Sequence, residues 1–249
     1  MRLGLIGAGN MASALARGLA EPILVSDAVP GKAEALAEEV GGRALPSNAE
    51  VADGADVVVL CHKPPQLAEV AAEVAPRAQA VASILAATPL AELEGAYPER
   101  PVYRFLPNLP AEVRRGVLCY APGSRAADGP ERELLELLGR VGTIVPLAEP
   151  LIEPAMALMS SGPAFLARVV EVMAEAGARH GLPRDEARRL VVETMAGTAA
   201  YLRARGHDAE GLIARVATPG GVTERGLAAM DLAEPFGAAI DAVVEAARR

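Results

Sequence analysis

The chain opens with an apolar run, Leu3–Ile6, that ends in Gly7-Ala8-Gly9 and leads straight into residues of helical spacing from Met11 to Leu19. No other stretch restricts the fold as much. A G-x-G-x-x-A between a strand and a helix uses its first glycine for a tight turn. The second lets a pyrophosphate approach the backbone, and the third small residue, Ala12, lets the helix pack closely on the sheet. The N–H groups at the helix start then meet the phosphates. Gly7, Ala8, Gly9, Asn10, Met11 and Ala12 are therefore candidate dinucleotide ligands.

The same grammar repeats downstream. Residues 23–26 read as a strand, 32–40 as a helix, 55–61 (ADVVVLC) as a strand apolar on both faces, and 66–74 as a helix. Further strands are expected at 81–85, 102–106, 116–120 and 143–145, with a helix at 132–138 before the last. Strands alternating with helices imply right-handed crossovers and a doubly wound, mostly parallel sheet. Near residue 148 the pattern changes. Helices are expected over 165–180, 184–205, 209–216, 223–230 and 236–247, with a break at Gly181-Leu182-Pro183. The fold class is thus an α/β Rossmann domain, 1–148, followed by an all-α domain, 149–249. Leu190, Val191, Met195 and Tyr201 spread apolar surface around their helix, which calls for cover by another helix or a second subunit.

Composition removes several function classes. A net charge of −8 repels a phosphate backbone, and 3% aromatic residues without tryptophan offer no stacking platform for nucleic acid. The two cysteines, Cys61 and Cys119, are far apart and form no Cys-x-x-Cys. No run approaches the roughly 18 consecutive apolar residues of a membrane span, and the N-terminus lacks the cleavage site of a signal peptide. A cytoplasmic protein with no membrane or nucleic-acid partner and no metal site is expected.

At the cofactor end, Asp27 stands where an acidic side chain accepts hydrogen bonds from the adenosine ribose of NAD and repels the 2′-phosphate of NADP. Ser26 and Lys32 beside it can accommodate a phosphate, so NADH is favoured and NADPH stays open. A plain turn-forming role for Asp27 is the alternative. Lys63-Pro64 follows the strand at its carboxyl end, where such sheets bind ligands. Lys63 reads equally as a loop cation, His62 as a loop histidine, and Cys61 as a small buried residue.

In the second half, Ala217-Thr218-Pro219-Gly220-Gly221-Val222-Thr223 runs into a helix. Consecutive glycines expose N–H groups that, with two threonine hydroxyls, suit a carboxylate. The same residues also make an ordinary turn with Thr223 as helix cap. Ser160-Ser161-Gly162-Pro163 is a second small-residue break, with Ser161 as a possible cap.

The whole chain resembles the pyrroline-5-carboxylate reductase family. The resemblance rests on Ser161-Gly162-Pro163-Ala164-Phe165, on His180-Gly181-Leu182-Pro183 closing a helix, and on Pro219-Gly220-Gly221-Val222-Thr223. Gly7-x-Gly9-Asn10-Met11, Lys63-Pro64, and Pro107-Asn108 before Pro110-Ala111 add to it in the same order. It implies reduction of a cyclic imine acid to L-proline by a nicotinamide cofactor. It also implies an interlocked homodimer, or a higher homo-oligomer, with the active site at a subunit interface. Gly7 to Ala12, Asn48, Cys61, His62, Lys63, Pro64, Ala86, Ala87, Thr88 and Asn108 would then line the dinucleotide. Thr218, Gly220, Gly221, Val222, Thr223, Ser161 and Glu149 would serve the substrate, with the carboxylate on the loop amides and the ring nitrogen near the Thr223 hydroxyl.

Departures from the usual family pattern fall at Leu106, Leu109, Ser160, Ala87 (usually Gly) and Val222, and they leave another cyclic imine open as substrate. Two further readings are a keto- or hydroxy-acid dehydrogenase and a non-catalytic dinucleotide-binding protein. The first needs a general acid–base on the helical half. That half has no lysine, and its histidines, His180 and His207, sit at expected helix ends.

Overall fold

The computed structural model describes residues 1–247. Its first unit is built on one eight-stranded sheet: β1 (Leu3–Ile6), β2 (Leu24–Ser26), β3 (Arg43–Ala44), β4 (Val57–Leu60), β5 (Val81–Ser83), β6 (Val102–Pro107), β7 (Gly116–Pro122) and β8 (Gly142–Pro146). The order is β3-β2-β1-β4-β5-β6-β7-β8. Every neighbouring pair is parallel except β6 and β7, which are antiparallel. This is the doubly wound, mostly parallel sheet expected, and the strand order reverses direction between β1 and β4.

Alternation along each strand splits the apolar runs between two layers. Val57 and Val59 face one core with Leu3, Leu5 and Phe105, covered by α1 (Asn10–Leu19), α2 (Lys32–Val40) and α6 (Glu131–Leu138). Val58 and Leu60 face the other with Ile6, Val81 and Leu106, under α3 (Asn48–Gly54), α4 (Leu67–Val74) and α5 (Leu90–Ala96). A strand covered on both faces has no reason to alternate polar residues, hence Val-Val-Val-Leu at its centre.

Four elements lie outside the expected list: β3, α3, α5 and the helix Ile152–Met159. β3 is only two residues long, too short to show a period. α5 is one seven-residue stretch between Pro89 and Pro98. α3 carries a legible start signal: the Ser47 hydroxyl accepts from the Glu50 N–H at 3.2 Å, in the spacing of a capping box.

α7 (Ile152–Met159) follows a short turn at Glu149–Leu151. Its Ile152 and Met159 are buried in the second core layer, and each such side chain contributes about 1.5–3 kcal/mol. The first compact unit accordingly runs Met1–Pro163 and includes residues 243–247. The second is Ala164–Ala242. The change of sequence grammar near 148 and the compact division at Pro163 therefore differ, because α7 is helical in pattern yet packs with the sheet.

The second unit holds α8 (Gly162–Arg179) beyond its first two residues, α9 (Arg184–Ala204), α10 (Ala209–Val216), α11 (Val222–Ala228) and most of α12 (Ala233–Ala247). Among the described residues of these helices only Ala174 and Ala187 are buried apolar side chains. Leu166, Val172, Met173, Leu190, Val192, Ile213 and Val216 are exposed.

Candidate active site

The glycine turn lies where the sequence places it. Cys61 N–H donates to the Ile6 carbonyl at 2.9 Å, and the Gly7 N–H donates to the Ser26 carbonyl at 2.8 Å, so β1 continues past its ladder toward both neighbours. Gly7 has φ +106°, and a Cβ there would stand 2.9 Å from the carbonyl carbon and oxygen of Cys61. Gly9 caps α1 without a side-chain bond, which leaves the first-turn N–H groups of Asn10, Met11 and Ala12 for a ligand. Ala12 is buried against the sheet, as close helix packing requires.

These residues border a groove of about 350 Å³ at the carboxyl ends of β1, β2 and β4. Gly7, Gly9, Asp27, Asn48, Cys61, His62 and Lys63 line it, joined by Lys32 and Gln66. The donors, small residues and carboxylate fit a dinucleotide: a turn with no room for a side chain, an uncapped helix start, and an acid at the end of β2. Asp27 also braces the turn, one oxygen accepting the Ala8 N–H and the other the Val29 N–H, each at 2.7 Å. Ser26 is buried and donates to the Asn48 side chain at 2.7 Å, so it orients Asn48 rather than facing the groove.

The segment after β4 is held by its own bonds. Lys63 N–H donates to Gln66 Oε1 at 3.1 Å, and His62 Nδ1 lies 2.9 Å from the Lys63 carbonyl. Burial holds the His62 imidazole below its ordinary range, partly offset by that carbonyl. Burial alone pushes the Cys61 thiol far up, which removes it as a nucleophile. Pro64 opens a short 3-10 turn beside them.

The turn after β5 holds Ala86, Ala87 and Thr88. The Thr88 hydroxyl donates to the Ala86 carbonyl at 3.1 Å, and Ala87 has φ +51°, a left-handed conformation usual for glycine. Glu149, expected at the substrate, instead accepts from Leu90 N–H and from Arg104 Nη1 at 2.9 Å. Arg104, in the middle of β6 and buried, also donates to Glu153. Neither Arg104 nor Glu153 was expected at a site, although an arginine inside the apolar strand VYRFLP signals a buried partner. Asn108 is likewise committed within the fold: its amide donates to the Met159 carbonyl and accepts from the Val117 N–H, at 2.8 and 2.9 Å. Ser161 stands immediately before α8, and the neighbouring Ser160 hydroxyl donates to the Pro107 carbonyl.

In the second unit, α11 starts at Val222 with Gly221 as its cap, so Thr223 sits inside the first turn and is not the cap residue. The glycine amides are not free as expected. Gly221 N–H donates to the Thr218 carbonyl at 2.9 Å, and Gly220 N–H to Glu224 Oε2 at 2.8 Å. An exposed amide pair takes local acceptors when these lie within reach. Gly220 has φ +73° and Val222 is almost fully exposed.

Comparison with known proteins covers both units. The sequence profile of the family described as pyrroline-5-carboxylate reductase dimerisation matches residues 149–249, and that described as NADP oxidoreductase coenzyme F420-dependent matches residues 2–87. The chain is 32% identical to the pyrroline-5-carboxylate reductase of a Synechocystis species, over 100% of this chain and 97% of that one. It is 34% identical to pyrroline-5-carboxylate reductase 3 of Rattus norvegicus, over 99% and 93%. The crystal structure of 1-pyrroline-5-carboxylate reductase from Streptococcus pyogenes superposes with a TM-score of 0.89 at 25% identity, covering 100% of this chain and 98% of that one.

Proposed function

The chain belongs to the pyrroline-5-carboxylate reductase family, and from that membership we infer that it reduces 1-pyrroline-5-carboxylate to L-proline with hydride from a nicotinamide dinucleotide. The observation that carries the reading is the end-to-end match to these reductases in a chain whose glycine turn, uncapped helix and groove suit a dinucleotide. It is a homo-oligomeric enzyme acting on a small molecule.

The chemistry asks little of side chains. Hydride arriving at the imine carbon moves the C=N electron pair onto the ring nitrogen, which holds or takes a proton. A protonated imine is already electrophilic, so positioning supplies most of the acceleration. When bound, a dinucleotide would supply the hydride. Gly7, Gly9 and the N–H groups of Asn10 to Ala12 would hold its phosphates, Asp27 and Asn48 its adenosine side, and Ala86 to Thr88 its reactive end. The Ala217–Thr223 loop holds the substrate carboxylate, in competition with Glu224 for the Gly220 amide. The Thr223 hydroxyl hydrogen-bonds the ring nitrogen, and Lys63 is the competing proton donor.

NADH is the preferred cofactor in this reading. Asp27 repels a 2′-phosphate, and Ser26 is buried and committed to Asn48, which leaves Lys32 as the groove's side chain for a phosphate beside it. The oligomer is a dimer built through the helical half, whose exposed Leu166, Val172 and Leu190 need cover. Glu149–Arg179 is long and apolar enough by composition to cross a membrane, and a second copy accounts for that apolar surface. Free Cys61 and Cys119 suit the cytoplasm.

Oxidation of NADH and of NADPH, followed spectrophotometrically with and without 1-pyrroline-5-carboxylate, tests the reading. Substrate-dependent oxidation, faster with NADH, is expected. Binding of both cofactors without turnover would shift the substrate to another cyclic imine.

A further inference from the structure

Arg104 is the one arginine that the described structure buries in the sheet, and through Glu149 it is connected to the Leu90 N–H that follows the Ala86–Pro89 turn. Its side chain is 3% exposed. Nη1 donates to Glu149 Oε1 at 2.9 Å, and Nη2 to Glu153 Oε1 at 2.5 Å. The same Glu149 oxygen accepts the Leu90 N–H. Leu90 is the first residue of α5, three positions past Ala87, and Ala87 is held in the left-handed conformation that costs a side chain energy. A cavity of about 390 Å³ opens beside the cluster, lined by Ala87, Pro89, Arg104, Glu149, Pro150 and Pro154.

We propose that Glu149, locked by Arg104, is a positioning residue for hydride transfer: by holding the Leu90 N–H it fixes the Ala86–Pro89 turn against which the reactive end of the dinucleotide lies. The physical logic is a relay of constraint. A two-point guanidinium–carboxylate cluster inside the sheet has one low-energy arrangement, so the Glu149 oxygen is presented at one place. The amide it captures starts a helix, where an unsatisfied N–H would otherwise take any nearby acceptor. With that amide fixed, the strained turn before it has a single conformation to offer a ligand. Glu153 shares the arginine but does not touch Leu90, so the two acids differ in what they control.

The inference rests on the assignment of residues 86–88 to the dinucleotide site. Three variants test it: Glu149→Ala, Glu149→Gln and Glu153→Ala. Glu149→Ala should raise hydrogen–deuterium exchange at Leu90 about tenfold or more and lower kcat by roughly ten- to a hundredfold, the scale of a misplaced reactant. KM for 1-pyrroline-5-carboxylate should change far less. Glu149→Gln keeps an acceptor oxygen and should restore both readouts to within a few-fold. Glu153→Ala should lower thermal stability while leaving Leu90 exchange and kcat within about twofold of the parent chain.

Equal losses in Glu149→Ala and Glu153→Ala, or a Leu90 amide that exchanges no faster in Glu149→Ala, overturn the proposal. If the parent chain turns over neither dinucleotide, the functional reading fails by itself. Exchange at Leu90 and the affinity for NADH by fluorescence then decide the inference, with weakened binding in Glu149→Ala but not in Glu149→Gln supporting it and equal binding overturning it.

Discussion

Gly7 and Cys61 approach so closely that a single added carbon on the glycine would lie 2.9 Å from the cysteine carbonyl. The contact joins the first βα turn to the segment after β4, the two walls of the groove. With φ at +106°, Gly7→Ala meets both a backbone penalty and a clash that only main-chain movement relieves. The expected result is a loss of about 2–4 kcal/mol of stability and no measurable dinucleotide affinity. Urea unfolding and fluorescence titration with NADH check it.

Ala87 predicts the opposite sign. Its left-handed φ costs an alanine about 1–2 kcal/mol, and glycine relieves that while gaining roughly 0.4–1 kcal/mol of unfolded-state entropy. Ala87→Gly should therefore stabilise the chain by about 0.5 kcal/mol, read from a denaturation midpoint at unchanged slope.

Thr223→Ala should lower kcat roughly a hundredfold if its hydroxyl serves the ring nitrogen, with the NADH dissociation constant unchanged. Lys63→Met provides the contrast. If it abolishes turnover while Thr223→Ala does not, the proton comes from Lys63.

His62 gives the pH prediction. Burial keeps its folded-state pKa below the ordinary value near 6.5, so on acidification the unfolded chain protonates first. This histidine therefore subtracts stability progressively as pH falls below about 6.5, until the folded form also takes the proton. The difference in urea midpoint between the parent chain and His62→Gln should move in favour of the variant from pH 7.5 to pH 5.5. A constant difference would refute the assignment.

Leu190, 54% exposed on α9, should lie against a second copy. Leu190→Asp is expected to shift the chain to monomer in light scattering, whereas an exposed leucine on a true monomer would tolerate the change within about 0.5 kcal/mol.

The parts legible in the sequence are those where local chemistry and long-range need coincide. Gly7 to Ala12, the Val57–Leu60 strand and the break at Gly181-Leu182-Pro183 each state their place in the fold through spacing, and the structure has a βα turn, a central strand and a helix break there. β3 and α5 escaped because two and seven residues do not establish a period. α3 does carry a local signal, the Ser47–Glu50 capping pair, but it is a weak one among the polar residues around it. The roles of Glu149, Asn108 and Ser26 were not readable. Each depends on a partner 22 to 59 residues away, and a carboxylate or amide looks the same in sequence whether it faces a ligand or a backbone group.

Among the described residues of α8 to α12 only Ala174 and Ala187 are buried apolar side chains, and with the proposed dimer this has a consequence for how the enzyme comes into being. A newly synthesised chain can finish its sheet alone, because both layers of that core are its own. In the proposed dimer, its helical half would wait for a second chain, and until then it would be the part open to proteases and to mispairing. Under that proposal the supply of working enzyme would rise with the square of the chain concentration while chains are scarce. Expression level, and not catalytic efficiency alone, would then set the threshold at which activity begins.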